Sequence, residues 1–384
     1  MSDFSYGDWS HQVPLHRKIS RIDWTLVGLI GLIACTGFAM LFSAANGSFS
    51  PWADRQMIRF LVGLGILVSV ACIDIRVWMG LAYPAYFVSL LLLVAVEVAG
   101  HVGLGAQRWI ELGPLELQPS ELMKISLVLA LARYLNGLGT GEISRPFQLA
   151  AALSLIAAPV VLVLMQPNLG TAALLLMCGC LMMFLAGLSW FWIVPTIISV
   201  MIAVPMVWRF ALHDYQKARV MTFLDPGSDA LGAGWNITQA KIALGSGGLL
   251  GKGFLMGTQS RLNFLPEKET DFIFTMVGEE FGFIGSIALL ALFAVVLYYG
   301  MQIALRSRSQ FGRLLAAGIV INFFLYIMIN ALMVMGLIPV VGIPMPLISY
   351  GGSAMMTVMF GFGLLMSVHV HRSIVVPRSS SGMI

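Results

Sequence analysis

Charge is what this chain has least of. Only 10% of its 384 residues are Asp, Glu, Lys or Arg, against 59% hydrophobic. A soluble globular domain carries about a quarter charged residues, so a water-soluble body is excluded. The net charge of +4 is too small and too scattered to suggest a nucleic-acid partner. Cysteine is scarce as well. Cys35, Cys72, Cys178 and Cys180 all fall in apolar runs, and Cys178-Gly179-Cys180 is not a Cys-x-x-Cys spacing, so they read as small hydrophobes rather than disulfides or metal ligands. There is no tandem repeat, no low-complexity linker and no cleavage-site pattern after the polar N-terminus, so the first apolar span is expected to stay as a membrane helix. No His/Cys/Asp cluster with ligand spacing, nucleophile elbow or cofactor fingerprint occurs, and no protein-built metal site is expected.

What remains is apolar helix. The mean hydropathy is +0.89, and windows of about 20 apolar residues recur along the chain. Spans are predicted at 23–44, 57–75, 78–99, 120–136, 147–165, 169–187, 189–210, 271–300, 313–336 and 348–370. The expected fold is all-α, a polytopic membrane protein of about ten transmembrane helices. Cytoplasmic tails are expected at 1–22 and 373–384, flanking a single membrane domain at 23–372. Arg17, Lys18, Arg21, Arg76, Arg145, Arg306, Arg308, Arg313 and Arg372 cluster on one side, while short connections on the other hold only Arg55, Arg59 and Arg108. By the positive-inside rule both termini are then cytoplasmic, and the long loop 211–270 faces outward.

That loop holds an amphipathic stretch, His213 to Asp225, and a helical pattern, Trp235 to Leu244, suited to lying on the bilayer. The run GSGGLLGKGF at 245–254 resembles a phosphate loop but fails it, because Ser246 and Gly253 stand where the motif needs Gly and Ser or Thr. It reads as a flexible interfacial turn, or as backbone N–H groups facing a lipid-linked diphosphate.

Carboxylates at or below a membrane surface are expensive and call for a function. Asp271 follows Thr270, which is placed to cap the next helix, and is either a helix-start anion or a general base. Glu279 and Glu280 lie deeper on the same helix and each needs a partner. In RWIELGPLELQPSELMK, Glu121 and Lys124 are spaced i,i+3, either as a structural ion pair or as a polar wall of the same cavity, with Lys124 or Arg108 holding a diphosphate. Pro339, Pro344 and Pro346 forbid a continuous helix before Ser349-Tyr350-Gly351-Gly352-Ser353. Irregular backbone at that depth is tolerated only where it is buried in protein or lines a cavity. Unaided, these residues fit a transporter as well as an enzyme acting on a lipid-linked substrate.

The same stretches resemble the SEDS family (shape, elongation, division and sporulation). Asn330, Gly336, Leu337, Pro339, Gly342, Ile343 and Ser349 through Ala354 match its signature in spacing, and GLIPVVGIPMPLISYGG is similar to the form in its RodA branch. RWIELGPLELQPSELMK and FLPEKETDFIFTMVGEEFGFIG resemble two further family blocks, so the likeness spans roughly residues 24–372. It implies a peptidoglycan glycosyltransferase of the bacterial cytoplasmic (inner) membrane that polymerises lipid II on its outer face, for cell elongation and rod shape. The alternative is a lipid II flippase or other transporter of a lipid-linked substrate. The family's aspartate falls on Asp271 as the catalytic base. Expected substrate-binding residues are Arg108, Glu121, Lys124, Lys241, Glu279, Glu280, Ser349 and Ser353. A divalent cation, Mg2+ or Mn2+, is the one cofactor allowed for, and the implied partner is a class B penicillin-binding protein within an elongation complex. Two departures stand out: Asn168 replaces an acid in Gln166-Pro167-Asn168-Leu169-Gly170-Thr171, and Lys268-Glu269 leaves no histidine beside Asp271.

Overall fold

The computed structural model describes residues 14–192 and 214–374, apart from 100, 104–105, 113–114, 140, 167, 226–232, 263 and 266, together with isolated positions 194, 201 and 209. A short α1 (Leu15–Ser20) leads into α2 (Trp24–Ala44), α3 (Ala53–Cys72) and α4 (Ile75–Ala99). The carboxylate of Asp23 starts α2 by accepting from the N–H groups of Thr25 (3.1 Å) and Leu26 (3.3 Å). Then follow α5 (Pro119–Asn136), α6 (Pro146–Met165) and α7 (Leu169–Leu185). Proline opens α5 and α6, where its missing N–H costs nothing. Asn168 caps α7, accepting from Thr171 N–H at 3.3 Å.

In the long loop expected to face outward (the outer loop), α8 (Asp214–Leu224) covers the amphipathic stretch and α9 (Ala233–Ser246) the expected helix, followed by a turn of helix, α10 (Thr258–Arg261). The bundle closes with α11 (Ile273–Arg306), α12 (Gln310–Val334) and α13 (Gly352–Val370). Seven described helices are long and apolar enough to cross a membrane, and α7 is a shorter apolar one. The expected span 189–210 lies almost wholly outside the described residues.

No strand is expected from the sequence between α4 and α5. The structure places a small antiparallel sheet there, β1 (His101–Gly103), β2 (Ala106–Leu112) and β3 (Leu115–Leu117), in the order β1-β2-β3. β2 and β3 pair as a tight hairpin, Ile110 opposite Leu117 and Leu112 opposite Leu115. Helices α5, α12 and α13 form the centre of the bundle and are buried almost all round, whereas α3, α4 and α6 turn most of their residues outward. This is why α5 shows no clear amphipathic stripe in sequence: it has no lipid face.

Helix α11 is broken at Gly282, whose φ of 69° and ψ of −161° belong to no helix. The freed backbone groups are taken up by the outer loop. Carbonyls of Glu279 and Glu280 accept from Lys252 and Gly253 N–H, both at 3.0 Å, and Phe283 and Ile284 N–H donate to Gly248 O (2.9 Å) and Leu249 O (3.1 Å). A Cβ at Gly251 would stand 2.1 Å from the Glu280 carbonyl oxygen, so only glycine allows this approach. The stretch 247–254 is therefore docked backbone rather than a free turn. The N–H groups of Gly251, Lys252 and Gly253 are spent on protein carbonyls and not available to a phosphate.

Candidate functional site

Asp271 lies in the turn just before α11, half-buried. The expected cap by Thr270 is not formed. Helix α11 starts at Ile273 with Phe272 before it, and the Thr270 hydroxyl donates instead to Glu267 O at 3.2 Å. What fixes Asp271 is a clamp from α12 and the loop after it. The wholly buried side-chain amide of Asn330 donates to Asp271 O (2.8 Å) and to Ile343 O (2.7 Å), tying the two segments together. Ser349 adds a second staple: its hydroxyl donates to Thr270 O (2.6 Å) and accepts from Met345 N–H (2.8 Å). Tyr350 N–H donates to Glu269 O at 2.8 Å. Glu269 O and Thr270 O are thus held from the irregular segment 342–351, and Asp271 O from Asn330 of α12, which also holds Ile343 O of that segment. Ser353 is half-buried in the first turn of α13, next to that segment.

Two glycines let the loop come this close. A Cβ on Gly170, at the start of α7, would meet Val341 O at 2.6 Å. Gly342 has φ of +67°, and a Cβ there would sit 3.3 Å from Oδ2 of Asp271. The carboxylate therefore rests against a bare backbone position. The outer face of this loop carries Lys241 of α9, whose side chain crosses Gly336: a Cβ on that glycine would be 2.1 Å from Cε and 2.8 Å from Nζ.

Sequence reasoning missed Gln56 and Arg59 as site residues, because an isolated polar pair in an apolar span carries no motif. Gln56 is buried and holds the far side of the Ser349 segment, donating to Ser349 O at 2.9 Å and accepting from Gly351 N–H at 3.4 Å. Arg59, one turn further along α3, lays its guanidinium 4.6 Å from the centre of the Tyr350 ring, where a Cβ on Gly352 would come within 3.2 Å of Cζ. Its Nη1 is buried with no hydrogen-bond acceptor among the described residues. A donor left in that state costs about 1–3 kcal/mol. One signal was legible: α3 carries two arginines on the side where the positive-inside rule expects few.

The other expected site residues fall elsewhere. Lys124 and Glu121 form a 2.7 Å ion pair with side chains only 1% and 5% exposed. Tyr326 of α12 closes the group, its hydroxyl bonded to the Glu121 carboxylate and to the Lys124 ammonium. All three are bonded to one another. Glu279 accepts from Lys252 Nζ (2.8 Å), the Thr258 hydroxyl (3.1 Å) and Gln259 N–H (3.0 Å). Glu280 is bonded to the Ser43 hydroxyl and accepts from Leu255 N–H at 3.3 Å. These acids tie the long loop and α2 to α11. Arg108 lies on β2, and its side chain is outside the described residues.

Among the described residues no group of three or more His, Cys, Asp or Glu is placed to hold a metal ion. Outside the spans, burial holds the Lys268 ammonium below its usual pKa, with neighbouring Glu269 drawing it back up. Lys268 lies three residues before Asp271, and Glu269, two residues before it, occupies the position of the absent histidine.

Residues 17–374 match the model of the FtsW/RodA/SpoVE family, described as cell cycle proteins. The chain is 45% identical over 354 residues to the peptidoglycan glycosyltransferase MrdB of Escherichia coli, covering 92% of this chain and 94% of that one. It is 28% identical to the peptidoglycan glycosyltransferase RodA of Treponema pallidum, covering 93% and 99%. Among solved structures, a chain of a peptidoglycan synthase complex that coordinates polymerization and crosslinking superposes with a TM-score of 0.80 at 34% identity, over 91% of this chain and 98% of that one. The crystal structure of RodA, the rod shape determining protein of Thermus thermophilus, gives 0.69 at 30% identity, over 91% and 97%.

Proposed function

The chain belongs to the FtsW/RodA/SpoVE family of cell cycle proteins, and from that membership we propose that it polymerises lipid II into β-1,4 glycan strands with Asp271 as general base. It is a multi-pass membrane protein and a peptidoglycan glycosyltransferase of the rod-shape branch. The observation that carries the assignment of the base is the clamp. Asn330, Ser349 and Tyr350 all spend hydrogen bonds on carbonyls 269–271, while the Asp271 carboxylate itself lies against the bare Gly342. Holding the backbone on both sides of an acid fixes where its carboxylate sits, which is what positioning a base requires.

The reaction is a single displacement. Asp271 takes the proton from the 4-hydroxyl of the acceptor N-acetylglucosamine as that oxygen attacks C1 of the donor N-acetylmuramyl sugar. The bond from C1 to the polyprenyl diphosphate breaks on the opposite face, so an α linkage becomes β. The main electrostatic demand is negative charge growing on the departing diphosphate. Arg59 beside Tyr350 and Lys241 over Gly336 are the cations of this region suited to meet it, and Arg108 stays an expectation from the sequence. Mg2+ or Mn2+ would have to be held by the diphosphate and a single carboxylate, since no protein cage lies among the described residues; no step is assigned to it.

In this reading the chain sits in the bacterial inner membrane, both termini cytoplasmic and Asp271 outward, with a class B penicillin-binding protein as transpeptidase partner. Purified protein incubated with lipid II should yield a glycan ladder on a gel, and Asp271→Asn should cut its formation by about 10²–10⁴-fold with lipid II still bound. Near-normal polymer from Asp271→Asn would end the general-base assignment. Labelled lipid crossing a bilayer with no polymer formed would replace the enzyme by a transporter.

A further inference from the structure

At the far end of α11 from Asp271, about 35 Å beyond the break at Gly282 at 1.5 Å per residue, the structure has an open groove of about 430 Å³ lined by Arg306, Arg308, Arg372 and Ser373. Arg306 is the last residue of α11, Arg308 lies in the turn to α12, and Arg372 follows the end of α13. A backbone hydrogen bond, Arg308 N–H to Arg372 O at 3.1 Å, stitches the two turns together and brings their side chains to one hollow.

None of the three guanidiniums has a carboxylate within ion-pair distance among the described residues. The ion pairs there are Lys124–Glu121, Arg145–Glu142 and Lys252–Glu279. A helix dipole favours one cation in the last turn, which accounts for Arg306. That effect fades beyond the last turn, so Arg308 and Arg372 are left without an intramolecular reason to converge.

The surface leading into the membrane from the groove is apolar. Tyr298 and Leu305 are seven residues apart on α11, hence on one face, and each is 62% exposed. A cationic hollow at the end of an exposed apolar stripe matches a molecule with an anionic head and a hydrocarbon tail. Guanidinium forks match phosphate oxygens in geometry as well as charge.

We propose that this groove is a phosphoryl-anion site that seats the head group of an anionic phospholipid of the inner leaflet, with an acyl chain along Tyr298 and Leu305. The site is separate from the Asp271 region and does not depend on the proposed reaction. Basic pockets between transmembrane helices on the cytoplasmic side suit such head groups, each nearby Arg contributing about a factor of five in binding. Free phosphate offers the same chemistry without the tail.

The test is lipid retention by the full-length purified protein. Delipidated protein would be titrated with phosphatidylglycerol, phosphatidylcholine or inorganic diphosphate, reading bound lipid by native mass spectrometry and protection by thermal shift. Phosphatidylglycerol should be retained in preference to phosphatidylcholine. Arg308→Gln and Arg372→Gln should each weaken that retention about five-fold, and the triple change with Arg306→Gln by about 10²-fold. Arg145→Gln, on the same expected face but paired with Glu142, should leave it unchanged. An equal effect of Arg145→Gln would reduce the groove to general surface charge and overturn the site. Protection by diphosphate as strong as that by phosphatidylglycerol would overturn the lipid assignment in favour of a soluble anion. The single variants keep two of the three arginines, so a triple variant that failed to insert would still leave the proposal exposed to refutation.

Discussion

Replacing Gly342 by alanine isolates the fit between the Asp271 carboxylate and the loop that faces it. Gly342 has φ of +67°, and a new Cβ would lie 3.3 Å from Asp271 Oδ2. Two costs follow, and they are separable. The left-handed backbone costs a non-glycine residue about 1–2 kcal/mol, which lowers the melting temperature by a few degrees. The contact is tighter than a relaxed carbon–oxygen approach, so the carboxylate or the loop must yield by a few tenths of an ångström. A misplacement of 1 Å costs a reaction on the order of 10²-fold, so this smaller one should cost roughly 10-fold in the rate of glycan formation. Gly342→Asn tells the two apart. Asparagine tolerates the left-handed region better than alanine yet brings the same Cβ. Its thermal stability should recover toward wild type while its turnover stays low. The assay is a glycan ladder from purified protein and labelled lipid II under single-turnover conditions, beside a thermal unfolding curve for each variant. Wild-type turnover in Gly342→Ala, or turnover that tracks stability across both variants, would refute the view that this glycine makes room for the catalytic carboxylate.

Other perturbations probe the remaining polar groups. Arg59→Gln should slow glycan formation by about 10-fold, as expected for the loss of one charge-assisted hydrogen bond to a departing anion, with a stability loss of only about 0.5–1 kcal/mol from the Tyr350 ring contact. Lys124→Met strands the Glu121 carboxylate in the bundle core and should cost about 3–5 kcal/mol. Adding Glu121→Gln should restore much of it, and a double-mutant cycle on thermal stability measures the difference. Lys252→Met removes the cation from Glu279, and because Lys252 keeps 26% exposure a smaller loss of about 2 kcal/mol is expected. It should appear as faster hydrogen exchange over 247–259. For Lys268 the folded pKa lies below the ordinary 10.5, so the folded chain releases that proton first and stability rises with pH between the two values. Lys268→Met should flatten that alkaline slope in a pH series of melting temperatures.

How much of this was written in the sequence differs by residue. Helix spans were legible because lipid demands about 20 apolar residues in a row. α2, α4, α5 and α6 begin and end within a few residues of expectation. Asp271 stood out as a candidate because an acid at the start of an apolar span contrasts with its surroundings. For Glu121, Lys124, Glu279 and Glu280 the structure supplies intramolecular partners. A buried charge announces that it has a partner, but not whether the partner is a substrate or another side chain. Tyr326 lies 205 positions from Glu121 and Ser43 lies 237 from Glu280. No local spacing rule reaches that far. Asn330 was flagged only as part of a motif, and the two carbonyls it joins, 59 and 13 positions away, emerge from the fold alone.

The glycines show why the loops rather than the helices define the site. Gly170, Gly251, Gly282 and Gly342 each sit where another backbone, or in the last case a carboxylate, comes too close for a Cβ. At Gly282 the helix gives up its own hydrogen bonds and takes replacements from 248–253, so the piece of α11 that follows Asp271 is bound to the outer loop as much as to its own C-terminal half. A substitution that pulls the loop off α11 must therefore expose four backbone groups and two carboxylates at once. It follows that the outer loop and the segment carrying Asp271 should unfold as one unit, earlier than α12 and α13. Native-state hydrogen exchange tests this through amides 248–259 and 273–284. Equal opening energies for both sets, lower than those of 314–334, are expected; independent opening of 248–259 would show that the break in α11 is a helix defect without a mechanical link.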